Sequence, residues 1–209
     1  MISAATFDWE TGKKNKKEIA VTKEEIEMIA RNAKRLERLT SDILDVSRIE
    51  SNNLKLNEKL IDLNEKIRIV VNDEKSAIPK GKELEIIFDQ RESAPLFVKG
   101  DRSRLFEVLT NLIGNAIKFT DSGGTITITV EKIAVKNEAM VSIKDTGKGI
   151  DSEILPRLFT KFASKSEDGT GLGLFLSKGI IQAHRGRIWA ENNKDGKGAT
   201  FKFTLPLRN

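Results

Sequence analysis

On either side of Gly123-Gly124 the hydrophobic pattern changes period, which rules out an all-helical or an all-strand fold. From Asp101 to about Phe119, Leu105, Val108, Leu109, Leu112, Ile113 and Ala116 recur in steps of three and four. This is the stripe of a helix with one buried face, and Asp101 suits its N-cap. From Thr125 to Val130 the text alternates, and with Met140 to Ile143 across Lys136-Asn137-Glu138 it reads as a hairpin. A one-sided helix next to half-buried strands has to cover the sheet those strands form. The expected fold class is therefore α+β, a two-layer α/β sandwich with a mixed sheet covered by helices on one face.

The flanking text fits that scheme. Strands are expected at 54–56, 84–88, near 97–98, and at 187–190 and 199–205, with helices over 63–77 and about 171–183, the latter closed by Gly186 as C-cap. Upstream, Thr22 to Glu25 spells a capping box. It opens a long helix whose Ile26, Ile29, Ala33, Leu36, Leu39, Ile43 and Val46 make one continuous stripe. An isolated helix of that kind is weakly stable, so the stripe is expected to pack either on its own domain or, the favoured reading, on a partner helix in an intermolecular bundle. Residues 1–21 show no sustained period and read as irregular. The predicted organisation is an irregular segment 1–21, a long helix and linker 22–58, and a folded domain 59–209.

Composition narrows the function classes. The 209 residues include no cysteine and one histidine, His184, which excludes disulfides, thiol chemistry and a zinc site built from Cys or several His. A reducing, cytoplasmic setting is expected. No apolar run is long enough to span a bilayer. The net charge of +5 divides into +1 over residues 1–60 and +4 over 61–209, with no basic arm, so no nucleic-acid partner is expected. The Lys13, Lys14, Lys16, Lys17 cluster reads as a solvated loop.

The usual nucleotide signatures are missing. Gly147-Lys148-Gly149 and Gly196-Lys197-Gly198 lack the spacing and hydroxyl of a P-loop, and no βαβ unit surrounds Gly169-Thr170-Gly171-Leu172-Gly173. What the chain has instead is a polar row inside an apolar helix. Asn111 and Asn115 are four residues apart, with Lys118 three further on, so all three leave the helix on one side. A carboxamide oxygen suits Mg²⁺, and a lysine suits the phosphates that share the ion. Asp145 ends a strand ahead of Gly147 and Gly149, where a carboxylate can accept from an exocyclic amine. Glycines at a helix start offer free amides to phosphate, and residues 164–168, small and polar, read as a lid.

NLIGNAIKFT, DTGKGI, LFTKF and GTGLGL, in that order, resemble the N, G1, F and G2 boxes of the catalytic ATP-binding domain of sensor histidine kinases, in the superfamily that includes gyrase, Hsp90 and MutL. The resemblance spans about 62–207 and implies a Bergerat-type ATP-binding fold with ATP and Mg²⁺ as cofactors. It implies that Asn115 ligates Mg²⁺, that Asn111 and Lys118 face the triphosphate, and that Phe119 lies beside the nucleotide. Asp145 would read the adenine amine, with Gly147 and Gly149 shaping the pocket. Phe159 and Phe162 would anchor the lid, Lys161 would approach the γ-phosphate, and Gly169, Thr170, Gly171, Leu172 and Gly173 would form the phosphate loop. Thr200 would support the adenine contact through water. RLERLTSDILDVSRIES is similar to the second helix of the family's dimerisation and phosphotransfer hairpin, which implies a homodimeric full-length protein and a response regulator receiver domain as partner.

Two departures matter. The hairpin's first helix, with its phosphoacceptor histidine, does not appear, and His184 sits at a helix C-terminus as a structural cap. The chain is therefore expected to begin inside the hairpin and to be unable to phosphorylate itself. In related hydrolysing ATPases a glutamate stands four residues before the Mg²⁺ asparagine. Here that place is Asn111, which cannot act as a general base, so attack by water should be slow. Three readings are consistent with these residues: phosphotransfer from ATP to a histidine supplied elsewhere, a nucleotide-dependent dimerisation or interaction module, and an anti-sigma-type serine kinase.

Overall fold

In the computed structural model the described residues are 2–7, 14–19, 22–91, 94–163, 170–194 and 196–208. The chain falls into two compact units, Met1–Ile43 and Leu44–Asn209. In the first, β1 (Ile2–Phe7) and β2 (Lys14–Ile19) form an antiparallel pair with Ile2 opposite Ile19, where an irregular segment was expected. Neither ISAATF nor KNKKEI alternates apolar with polar residues, so a pair joined by its backbone ladder leaves no side-chain period to read. α1 (Lys23–Glu50) opens with the expected capping box: the Thr22 N–H donates to Glu25 Oε2 at 2.8 Å and the Glu25 N–H to Thr22 Oγ1 at 3.2 Å. Its stripe residues Ile26, Ile29, Leu36 and Ile43 are all exposed. The last residues of α1, from Leu44, belong to the second unit.

That second unit is the α+β sandwich. Five strands run in the order β4 (Leu84–Gln90), β6 (Gly124–Ile133), β7 (Glu138–Asp145), β9 (Ala199–Pro206), β8 (Arg187–Asn192), with β4–β6 parallel and the rest antiparallel. A separate pair joins β3 (Glu58–Asp62) to β5 (Phe97–Asp101). The parallel step between β4 and β6 requires a crossover. β5 and α3 (Arg102–Phe119) supply it. One sheet face is buried under α2 (Leu63–Ser76), α3 and α4 (Gly173–Ala183): Ile126, Ile128, Val130, Val141 and Ile143 are fully buried in one core with Leu109, Leu112 and Ile113. Each of these side chains contributes about 2 kcal/mol by leaving water. On the other face Thr127 and Thr129 are half-buried and Lys144 is exposed.

Two local expectations are corrected. Residues 54–56 are not a strand; Leu54 packs on the core and pairing starts at Glu58, because β3 needs β5 as its partner and a two-leucine alternation has none of its own. α4 is closed by Arg185, which takes the left-handed conformation at φ 63°, and not by Gly186. Gly186 is small for another reason: a Cβ there would lie 2.0 Å from the Thr204 carbonyl oxygen on β9.

The start of α3 sets everything downstream. Asp101 Oδ1 accepts from the Ser103 and Arg104 N–H groups at 2.9 and 3.1 Å, and its Oδ2 from Asn57 at 2.9 Å. Burial pushes this carboxyl up, and the three N–H bonds outweigh it and hold it below the usual aspartate range. The Asp101 N–H donates to Nε2 of buried His184 at 2.9 Å, while Nδ1 lies 2.8 Å from the Ile180 carbonyl. Because the carbonyl can only accept, Nδ1 carries the proton and the ring is neutral. Among the described residues no helix is long and apolar enough to cross a membrane.

Candidate functional site

α3 is the spine of the site. Its apolar face is buried at Leu105, Val108, Leu109, Leu112, Ile113, Ala116 and Ile117, which turns the intervening polar row outward and sideways. Asn111 and Asn115 are half-buried on successive turns, and Lys118 and Phe119 are exposed at the helix end, with Lys118 Nζ 5.6 Å from the Phe119 ring centre. Asn111 meets α4: its Nδ2 donates to Ser177 Oγ at 2.9 Å, and a Cβ on Gly173 would lie 2.4 Å from its Oδ1. Phe119 meets the end of β7: the Lys148 N–H donates to its carbonyl at 3.3 Å, and a Cβ on Gly147 would lie 2.3 Å from that oxygen. Asn115 lies one turn from each contact. Three of the four sequence motifs thus meet along one helix.

At the β7 end, Asp145 is buried to 4% exposure. Its Oδ1 accepts from the Gly147 N–H at 2.9 Å and the Ala199 N–H at 3.2 Å, while Oδ2 accepts from no described residue. Burial pushes its pKa above the ordinary aspartate value, and the two N–H bonds only partly offset this. Gly149, at φ 75°, lets the chain pass Asn192, whose Oδ1 accepts from the Ile150 N–H at 2.6 Å and whose Nδ2 donates to the Ile150 carbonyl at 2.8 Å. Thr200, also buried, donates its hydroxyl to Asn193 at 2.6 Å.

At the α4 end the glycines have a packing role. Gly171 takes φ 66°, and a Cβ there would lie 2.6 Å from the Phe162 main chain, whose N–H donates to the Gly171 carbonyl at 3.0 Å. Thr170 Oγ1 accepts from the Leu172 N–H at 3.2 Å, and Leu172 is buried. Gly169 and the stretch expected as a lid, 164–168, lie outside the described residues. Phe159 is packed on the core, whereas Phe162 is 71% exposed, and its backbone bond to Gly171 is what ties it down. Lys161 is paired with Glu50, the last residue of α1.

The asparagine row passes a chemical test for a hard cation. The Asn115 carboxamide makes no hydrogen bond to a described residue, so its oxygen is available. Among the described residues no group of three or more His, Cys, Asp or Glu could hold a metal ion, so an ion at Asn115 would take its remaining oxygens from water and a substrate.

The family model for histidine kinase-, DNA gyrase B- and HSP90-like ATPases matches residues 100–209, more than half the chain and the part that holds α3, Asp145 and α4. The chain belongs to this family. Among solved structures it is similar to the Acinetobacter baumannii histidine kinase AdeS, at 27% identity and TM-score 0.75 over 91% of this chain and 88% of that one. It is also similar to histidine kinase ThkA in complex with the response regulator protein TrrA, at 31% identity and TM-score 0.69 over 89% of this chain and 51% of ThkA. The third is full-length ShkA in complex with AMPPNP, at 26% identity and TM-score 0.77 over 91% of this chain and 40% of ShkA. The chain carries the catalytic ATPase domain of a histidine kinase.

Several residues that hold this kinase domain's site together escape the sequence. Ser177, Asn192, Asn193 and Gly198 belong to none of the four motifs. A signal for Ser177 did exist, as a polar residue one turn after Gly173 on the apolar face of the helix. Asn192-Asn193 could be read only as turn formers.

The attachment of α1 was equally hidden. Asp45, 4% exposed, takes a bidentate pair from Arg104 at 2.6 and 2.8 Å and a third bond from Arg48 at 3.0 Å. Burial pushes Asp45 up, but the two guanidinium groups outweigh it and hold its pKa below the usual value. Ile49 fills the space beside Gly179, where a Cβ would lie 2.5 Å from its Cδ1.

Proposed function

We propose that this domain binds Mg-ATP along α3 and transfers the γ-phosphate to a histidine carried by a hairpin helix outside this chain. One observation carries the reading: two unlike half-sites lie along α3, Asp145 of β7, a buried carboxylate whose Oδ2 accepts from no described residue, near its C-terminal end, and the asparagine row, with Asn111 against α4, in its middle. Asp145 Oδ2 would accept from the adenine amine. Asn115, with Asn111 and Lys118 beside it, would hold Mg²⁺ together with phosphate oxygens, and the ion when bound supplies charge neutralisation. The residues of the domain position and stabilise. A P–N bond forms to the incoming imidazole, the bond from the γ-phosphorus to the bridging oxygen breaks, ADP leaves with that electron pair, and the imidazole proton passes to solvent. Asn111 supports transfer over hydrolysis, since it offers no base and its amide is spent on Ser177.

The partners follow from the same reading. They are ATP and ADP, the histidine-bearing hairpin helix, and a response regulator receiver domain, of which the ThkA–TrrA complex is the related case. The exposed stripe on α1 supports a homodimer in the full-length protein.

The test is a titration with Mg-ATP, followed by addition of a histidine-bearing hairpin protein and labelled ATP. Acid-labile label on the hairpin supports the proposal. Label that is acid-stable on serine would favour the serine-kinase reading, binding without transfer would leave an interaction module, and no binding in the presence of Mg²⁺ would sink all three.

A further inference from the structure

Asn193, between β8 and β9, spends its whole side chain on the base end of the site. Its Nδ2 donates to the main-chain oxygens of Asp145 and Lys197 at 2.8 and 2.6 Å, its N–H to the Gly198 carbonyl at 3.0 Å, and its Oδ1 accepts from Thr200 Oγ1 at 2.6 Å. Two carbonyl acceptors around one atom decide which end of the carboxamide is nitrogen. Oδ1 therefore faces Thr200. Because that oxygen only accepts, the Thr200 proton is committed to it, and Thr200 can act toward any other group only as an acceptor. Asp145 is in the same condition, its Oδ1 occupied by two N–H groups and its Oδ2 without a described donor. The approach that permits this is tight: a Cβ on Gly198, at φ 75°, would lie 2.0 Å from the Asp145 carbonyl oxygen.

We infer that Asn193 is a positioning residue for base selection: by gripping the main chain of Asp145 and the hydroxyl proton of Thr200 together, it keeps this edge acceptor-only and favours a 6-aminopurine over a 6-oxopurine. The inference rests on the reading of Asp145 as the adenine contact. An exocyclic amine satisfies such an edge, whereas a carbonyl oxygen meets unpaired acceptors, which is where nucleotide discrimination is strongest.

The test compares Mg-ATP with Mg-ITP, identical except for the 6-oxo base, by calorimetry on the whole chain. The wild type should prefer ATP by at least about tenfold. Asn193→Ala should shrink that ratio at least about fivefold, by weakening ATP while the ITP affinity stays within about twofold. Equal weakening of both nucleotides would mean a merely structural role and would overturn the inference, as would an unchanged ratio. If Asn193→Ala does not fold, Asn193→Asp keeps the volume and the oxygen facing Thr200, and replaces the two donated hydrogens by a carboxylate oxygen that the Asp145 and Lys197 carbonyls repel. It should show the same ATP-selective loss, and ATP selectivity like that of the wild type would overturn the inference. A wild type that binds neither nucleotide removes the adenine reading itself, a different failure from a wild type that selects ATP with an indifferent Asn193.

Discussion

The two ends of the α3 site are held by different means. At the base end, Asp145, Gly147, Asn192, Asn193 and Thr200 are pinned by short hydrogen bonds between the ends of neighbouring strands and the loops that leave them. At the phosphate end, Asn111 leans on Ser177, Phe162 is held through its backbone, and Lys161 is paired with Glu50 of α1. A sheet terminus cannot shift without breaking its ladder, whereas a side-chain tether can be released at small cost. On the proposed reading, the base falls to the rigid part and the triphosphate to a part that can rearrange.

The largest effect should come from the rigid end. Asp145→Asn is expected to weaken Mg-ATP by about 100-fold, the loss of a charge-assisted hydrogen bond worth about 3 kcal/mol, as read by calorimetry. Its melting temperature should hold or rise, because the buried carboxylate is paid for in stability: its pKa is raised by burial, so ionisation at neutral pH costs folding free energy. A variant that binds normally would break the comparison. The same carboxyl should lose its charge at a pH above the ordinary aspartate range, so wild-type ATP affinity should fall on acidification earlier than an exposed aspartate would dictate.

Next in size is the attachment of α1. Asp45→Ala leaves Arg104 partly buried without its bidentate partner and should cost about 2 kcal/mol in urea unfolding, reduced from a fully buried pair because Arg104 keeps some access to water. ATP affinity should stay within about threefold. A large affinity loss with unchanged stability would show that the two ends are not separable.

His184 provides a smaller, pH-dependent effect. Burial lowers its pKa below 6.5, opposed by the Ile180 carbonyl, Asp101 and Glu58. The unfolded chain therefore binds the proton more readily, so this contribution is complete above about pH 6.5 and is lost as the pH falls toward the folded value. The urea midpoint should drop between pH 6.5 and 5.5 in the wild type and stay flatter in His184→Gln. Equal slopes would remove the ring from the account.

The smallest change should be Glu50→Gln. The Lys161 pair is half exposed and worth less than about 1 kcal/mol, so stability should hardly move. If Lys161 acts on the triphosphate, its release should tighten ATP by a few-fold at low salt. Weaker binding would mean that the pairing presents Lys161 correctly.

How much was legible follows from range. The 3.6 period over 102–119, the Asp101 cap, the alternation in β6 and the order of the four motifs were all visible, because each is a pattern among residues near in sequence whose local geometry decides which face is buried. Gly186 was misread because a close approach to Thr204 on β9 looks, in one dimension, like an ordinary helix stop. Leu54-Lys55-Leu56 was misread because alternation predicts a strand only when a partner exists.

By itself, then, the sequence determined the helices, the five strands of the main sheet and the chemical types aligned on α3. Tertiary structure alone decided that Asn193 bonds to the Asp145 main chain and the Thr200 hydroxyl, that Arg104 receives Asp45, that His184 caps one helix and supports the start of another, and that Lys161 meets Glu50. These contacts join residues as much as 111 positions apart. Such contacts exist only after strand register and helix packing have closed the long loops between them. Their energy is specific to a geometry that no local pattern encodes.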